Sequence, residues 1–196
     1  MIHLSQNNII HSDIRAVNML VTLPNKLNRK CLVKISDFGL SKSIYSNSNL
    51  KGGEYYKNSF DLFPLRWSSP EIIKEGKYSQ SSDIWSFGVL TWEIFNKGIK
   101  PFYNENIDEI IIDIICSDKI KDYLKKPEKY EDSSLKSNEY LDSLWNLIEK
   151  CWNKIPNERP NFNEIFEKLK EIENQISPNN NNNENKKEIN SFSPIL

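Results

Sequence analysis

The chain is 196 residues long with a formal net charge of −1, enough for one domain with a sizeable core. It offers no global field that would draw it to nucleic acid or to an anionic membrane. Hydrophobic residues at 38% and charged residues at 27% match an ordinary globular domain, and the longest apolar candidate, residues 107–115, is broken by Asp108, Glu109 and Asp113, so no transmembrane segment is expected.

Residues 1–10 show no basic stretch followed by an apolar one, so no signal peptide is read and a cytoplasmic setting is expected. The strings 18–21 (Asn-Met-Leu-Val) and 31–35 (Cys-Leu-Val-Lys-Ile) predict a small strand pair, with Pro24-Asn25 as the turn signal between them. Residues 41–61 form a long polar stretch around Gly52-Gly53, a length typical of functional loops. Residues 84–95 follow Ser82-Asp83 and are apolar nearly all round, which predicts a buried helix. Asn96-Lys97-Gly98 is its stop signal. In 140–152, Leu141, Leu144, Leu147, Ile148 and Cys151 recur at spacings of three and four. In 161–176, Phe162, Ile165, Phe166, Leu169 and Ile172 do the same. Both predict amphipathic helices. From Ser177 the chain is Asn-rich with few apolar residues; such a segment does not bury enough surface to offset its ordering entropy. Residues 177–196 are therefore expected to be a disordered tail and 1–176 the folded unit, mainly α with a small β element. Cys31, Cys116 and Cys151 are odd in number and lack metal-ligand or redox spacing. They are expected to be buried small hydrophobes in a reducing compartment.

Chemistry concentrates in the first half. Residues 9–18 read Ile-Ile-His-Ser-Asp-Ile-Arg-Ala-Val-Asn and resemble the protein-kinase catalytic loop, H-R-D-L-x-x-x-N. Asp37-Phe38-Gly39 resembles the magnesium-binding D-F-G, and Ser69-Pro70-Glu71 the A-P-E that closes the activation segment. Residues 82–88 (Ser-Asp-Ile-Trp-Ser-Phe-Gly) are similar to the S-D-V-W-S-F-G of the family's central helix. Cys151-Trp152 with Pro156-Asn157-Glu158-Arg159-Pro160 is similar to its C-W…P-x-x-R-P. A lone D-F-G carries little weight; these motifs in this order carry a great deal, over about residues 2–176.

The resemblance implies the larger, carboxyl-terminal lobe of the kinase fold, whose parent class is α+β. It implies transfer of the ATP γ-phosphoryl to a protein hydroxyl, a reaction that needs alignment and charge neutralisation. Asp13 is then the general base for the substrate hydroxyl, and Asn18 and Asp37 are the Mg²⁺ ligands. Arg15 helps on the phosphate side, and Leu20 lies under the adenine. His11 packs under Phe38 and bonds to Asp83, Asp83 holds the catalytic loop, and Glu71 pairs with Arg159. Phe38, Gly39, Tyr55, Tyr56, Arg66 and Trp67 fall in the activation segment. Phe63-Pro64-Leu65-Arg66-Trp67 resembles the P-V-K/R-W of tyrosine kinases, and Tyr55-Tyr56 resembles their paired activation-loop tyrosines. Both favour Tyr over Ser/Thr as acceptor and a tyrosine-kinase or tyrosine-kinase-like branch.

Two departures stand against this pattern. The 196 residues hold no Gly-rich loop, no V-A-I-K lysine and no hinge. The smaller, ATP-gripping lobe is thus expected to be absent from this chain, which on its own is expected to be inactive. ATP and Mg²⁺ bind only if an upstream lobe or a partner kinase supplies that half. Ser12 also stands where the family has Arg, the residue that pairs with a phosphorylated activation loop. Two readings follow: an amino-terminally truncated catalytic domain acting on a protein substrate, or a non-catalytic lone lobe serving as a pseudokinase-like binding or scaffold module.

Overall fold

The structure is a computed structural model and describes residues 1–23, 31–43, 55–56, 63–127 and 138–176. Along the chain run helix α1 (Ile2–Gln6), strand β1 (Ile9–Ile10), a 3-10 turn at Ala16–Asn18, β2 (Met19–Thr22), β3 (Leu32–Ile35), β4 (Lys42–Ser43) and β5 (Tyr55–Tyr56). A 3-10 turn at Leu65–Trp67 then leads into α2 (Pro70–Glu75), β6 (Lys77–Tyr78), α3 (Gln80–Phe95), α4 (Asp108–Cys116), α5 (Ile120–Tyr123) and α6 (Asn138–Cys151). A last 3-10 turn, Pro156–Glu158, precedes α7 (Phe162–Ile176).

Helix α3 is the axis of the molecule. Ser79 caps it: its hydroxyl accepts from the Ser82 backbone while Ser82 bonds back to the cap residue, a reciprocal box that satisfies two orphan amide groups. The helix therefore starts two residues earlier than Ser82-Asp83 suggests. It ends at Asn96, after which Lys97 and Gly98 both turn left-handed, at φ 57° and 79°. Trp85, Val89 and Trp92 enter one core cluster with Phe102, Ile111 and Trp145. Ile84 and Leu90 enter a second with Ile14, Leu147 and Phe162. A helix that feeds two cores must be apolar nearly all round, as its sequence is. Trp85, Trp92, Trp145 and Trp152 are all buried.

The expected strand pair is β2–β3, antiparallel, with Leu20 opposite Lys34 and Val21 opposite Val33. Two further pairs went unread: β1 with β4, and β5 with β6. Two-residue strands carry no period to detect. Helices α6 and α7 lie where the apolar spacing puts them, although Phe166 is exposed. Only Cys151 meets the expectation of burial; Cys31 is exposed and Cys116 half-buried, because Cys31 sits at the rim of an open β pair rather than in a core. The turn at Pro24-Asn25, Gly52-Gly53 with most of the 41–61 stretch, and the 177–196 tail lie outside the described residues.

Candidate active site

The segment between β1 and β2 is held from below by α3. Asp83 is 2% exposed, and its carboxylate accepts the His11 backbone N–H at 2.7 Å and the Ser12 N–H at 2.9 Å. Burial pushes its pKa up to about 7, against those two amides, which pull it down. The two bonds hold Ser12 at φ 68°, a left-handed conformation that costs an L-residue about 1–2 kcal/mol. The Ser12 hydroxyl is buried without a hydrogen-bond partner among the described residues.

His11 is the hub. Its Nδ1 accepts the Asp13 backbone N–H at 3.3 Å, which leaves Nε2–H to donate to the Ser36 carbonyl at 3.2 Å. This neutral tautomer agrees with its pKa, lowered by burial although the Ser36 carbonyl, Asp13 and Asp37 pull the other way. Its ring meets Phe38 at 4.9 Å between centroids. Both expected partners of His11 are therefore present, Asp83 through the backbone rather than the imidazole.

Asp13 is 3% exposed. Its Oδ2 accepts from Asn18 Nδ2 at 2.8 Å, and the same amide nitrogen also donates to the Asp13 carbonyl at 2.8 Å. Its Oδ1 lies 2.9 Å from Arg15 Nε, yet neither atom finds a hydrogen bond of acceptable direction. The contact is a charge contact, and it leaves the Oδ1 lone pairs uncommitted to an N–H. Arg15 also lies over the Trp67 ring, its Cζ 5.7 Å from the centroid.

With its nitrogen spent on Asp13, the Asn18 amide has its oxygen left for a ligand. The Asn18 carbonyl accepts from the Ser36 N–H at 2.9 Å and the Ser36 hydroxyl at 3.0 Å, which sets Asp37, the next residue, beside the catalytic loop. Asp37 sits at φ 62° and is exposed. Its Oδ1 accepts from the Gly39 N–H at 3.2 Å, and a Cβ on Gly39 would stand 3.1 Å from that oxygen. The donor set is two hard oxygens. It fits Mg²⁺, which takes one or two protein ligands and completes its shell with phosphate and water. Among the described residues no group of three or more His, Cys, Asp or Glu could cage a metal. Leu20, on β2, is 58% exposed.

In the stretch expected to be the activation segment, β5 places Tyr55 and Tyr56, which pair by backbone with Tyr78 and Lys77; their side chains lie outside the described residues. Arg66 and Trp67 of the same stretch are both buried. Arg66 donates to the carbonyls of Pro101, Phe102 and Glu105 at 2.6–2.8 Å. Glu71 and Arg159 meet in a buried two-pronged pair at 2.6 and 2.8 Å.

One residue of the site escaped the sequence reading. Glu93, on α3, is buried at 7% exposure and accepts the Ala16 N–H and the Trp67 Nε1–H, each at 3.0 Å. The signal was present: an acid inside an apolar helix must have partners.

Comparison with known proteins agrees with this geometry. Residues 1–169 match the family model for protein tyrosine and serine/threonine kinases. The chain is 37% identical over 167 residues to inactive tyrosine-protein kinase 7 of Homo sapiens, covering 85% of this chain and 13% of that protein. It is 34% identical over 170 residues to proto-oncogene tyrosine-protein kinase ROS of Mus musculus, covering 86% and 6%. It is 36% identical over 169 residues to the tyrosine-protein kinase transmembrane receptor Ror of Drosophila melanogaster, covering 86% and 21%. The chain thus spans at most about a fifth of these relatives' own length. No helix among the described residues is long and apolar enough to cross a membrane. The catalytic-loop fold, the D-F-G turn, the buried Glu71–Arg159 pair and a family match over residues 1–169 lead to one assignment: the chain belongs to the protein tyrosine and serine/threonine kinase family.

Proposed function

We propose that the chain is the catalytic-loop and substrate-binding half of an ATP-dependent protein kinase that phosphorylates a protein hydroxyl, Tyr in preference to Ser or Thr. The observation that carries this reading is Asp13: a buried carboxylate with one oxygen fixed by Asn18 and the other beside Arg15, uncommitted to an N–H. Oδ1 is buried beside Arg15, whose side chain is 35% exposed, so an incoming hydroxyl reaches it when Arg15 gives way, and the carboxylate would then orient that hydroxyl and accept its proton. Mg-ATP would supply the phosphoryl group and neutralise its charge. Asn18 and Asp37 would hold the metal through oxygen, Leu20 would lie under the adenine, and Arg15 would steady the negative charge near Asp13. The string Phe63-Pro64-Leu65-Arg66-Trp67, similar to the P-V-K/R-W of tyrosine kinases, supports Tyr as acceptor. We take residues 1–176 as the kinase unit, with 177–196 outside it; the family match over residues 1–169, which reaches into α7, supports that boundary. A cytosolic setting, where ATP is at hand, suits the exposed thiol of Cys31.

The partners are a protein substrate and a smaller lobe, whether in a longer protein or in a partner kinase. With that half supplied, transfer of phosphate from Mg-ATP to a Tyr-containing polymer is expected, and Asp13→Asn is expected to lower kcat by about a hundredfold or more. Equal rates for Asp13→Asn and the parent would sink the assignment of Asp13. A second reading, a non-catalytic binding module, is favoured by Ser12 in place of Arg and by likeness to a relative named as inactive. Under it, no transfer occurs and Mg-ATP leaves the melting temperature unchanged.

A further inference from the structure

Helix α3 carries a polar stripe through its apolar body. Asp83 takes the backbone of His11 and Ser12. Ser86 donates to the Trp67 carbonyl at 2.8 Å. Glu93, seven residues on and about two turns along the same face, takes the Trp67 indole N–H and the Ala16 N–H on a single oxygen, Oε2. Trp67 is therefore fixed at both ends by one helix, its backbone by Ser86 and its ring by Glu93. The ring so fixed lies under Arg15, and Arg15 lies against Asp13.

We infer that Glu93 is the positioning residue of the site: by holding Ala16 and the Trp67 indole on one oxygen, it sets the Trp67 segment against the 13–18 loop and keeps Arg15 at Asp13. Three facts converge. The carboxylate is buried, and a buried charge persists only where it is well bonded. Its two donors come from separate segments, 77 and 26 residues away. The first segment bears Asp13, Arg15 and Asn18, and the ring of the second lies under Arg15, so a shift of either would misplace Arg15. Glu93 itself touches no reacting atom; it acts through Trp67 and Arg15.

The functional half of this inference rests on the kinase reading above, and the experiment separates the two. The first readout needs no activity. In ¹H–¹⁵N spectra of the chain, the Trp67 indole N–H signal, assigned by its loss in Trp67→Phe, is expected to exchange slowly with solvent in the parent. In Glu93→Leu it is expected to exchange faster and move, and in Glu93→Gln, which keeps an acceptor oxygen, to stay close to the parent. The second readout is phosphotransfer with the smaller lobe supplied. Glu93→Leu should lower kcat or raise KM for the acceptor by about ten- to a hundredfold, the worth of a hydrogen bond to a charged group, with KM for ATP unchanged. Glu93→Gln should recover most of that loss. Trp67→Phe keeps an aromatic ring but loses the N–H together with the five-membered ring of the indole; it should reproduce the direction of the Glu93→Leu effect, and it stands in if Glu93→Leu does not fold. A Trp67 indole as protected in Glu93→Leu as in the parent would overturn the inference. So would Trp67→Phe with unaltered acceptor kinetics, or a Glu93→Gln as impaired as Glu93→Leu. A parent with no transfer but the expected indole behaviour would refute the kinase reading and retain the structural linkage.

Discussion

At the scale of single residues, Asp83 links the catalytic loop's strain to pH. Burial raises its pKa to about 7 from its ordinary value of 3.8. The folded state thus binds this proton more tightly than the unfolded chain does. The stability it confers is complete below about pH 4 and is lost as pH rises through about 7. One proton limits the slope to about 1.4 kcal/mol per pH unit. His11 works the other way: its lowered pKa means it is buried neutral, and stability is lost as pH falls below its ordinary value near 6.5. The two offset each other in the parent, so urea midpoints should be compared with Asp83→Asn. The variant is expected to gain stability, relative to the parent, as pH rises from 5 to 8 (roughly the range of these titrations). A parent-to-variant difference constant across that range would refute the shift. Asp13, Asn18, Asp37 and Asp83 were candidates from the sequence because each sits in a short contiguous motif. Glu93 was not, because its donors lie far away in the chain and only folding brings them to it.

At the scale of elements, packing of α3 against the end of α6 depends on the absence of one methyl group. A Cβ on Gly88 would stand 2.7 Å from Trp152 Nε1 and 3.0 Å from Cys151 Cβ. Gly88 is in mid-helix, where Ala is intrinsically better by about 0.8–1.0 kcal/mol. Overpacking a core costs about 1–3 kcal/mol, and here the obstacle is a buried indole wedged edge-on against Trp145, 6.2 Å between centroids. The clash should win: Gly88→Ala is expected to destabilise by about 1–2 kcal/mol net, read as a lower urea midpoint at unchanged m-value. A stabilised variant would mean that Trp152 moves aside freely. The periodicity of α6 and α7 and the all-round apolarity of α3 were enough to place these helices. The contact at Gly88 was not legible, since a spacing pattern says which face is apolar but not which atom meets which. The same limit applies to β1, β4, β5 and β6, two-residue ladders whose partners only the tertiary fold selects.

At the scale of the whole molecule, one ion pair joins the segment before α3 to the segment after α6. Glu71 and Arg159 are 88 positions apart and fully engaged: two parallel N–H···O bonds, with further donation from Arg159 to the Ser81 carbonyl at 2.9 Å and the Asn153 carbonyl at 2.7 Å. The guanidinium also lies over the Trp85 ring at 5.1 Å, so the pair is seated on the residue at the centre of the core. Composition and periodicity gave no hint of this pairing; only the likeness to kinases did, because nothing local marks two distant charges as partners. A buried pair adds little over a well-packed apolar one, since desolvation offsets the attraction, yet breaking it is costly because one charge is left buried and alone. Arg159→Met keeps much of the stem and strands Glu71, and should cost about 3–5 kcal/mol. Domains of this size have about 5–15 kcal/mol in all, so the single variant should be close to unfolding at 37 °C. The double variant, Glu71→Leu with Arg159→Met, removes the stranded charge and should recover a substantial part of the loss, though not the bonds to Ser81 and Asn153. Urea unfolding of the parent, both single variants and the double variant closes the cycle. If the losses of the single variants simply add in the double one, the two charges do not act as a pair, and the link between activation segment and helical layer lies elsewhere.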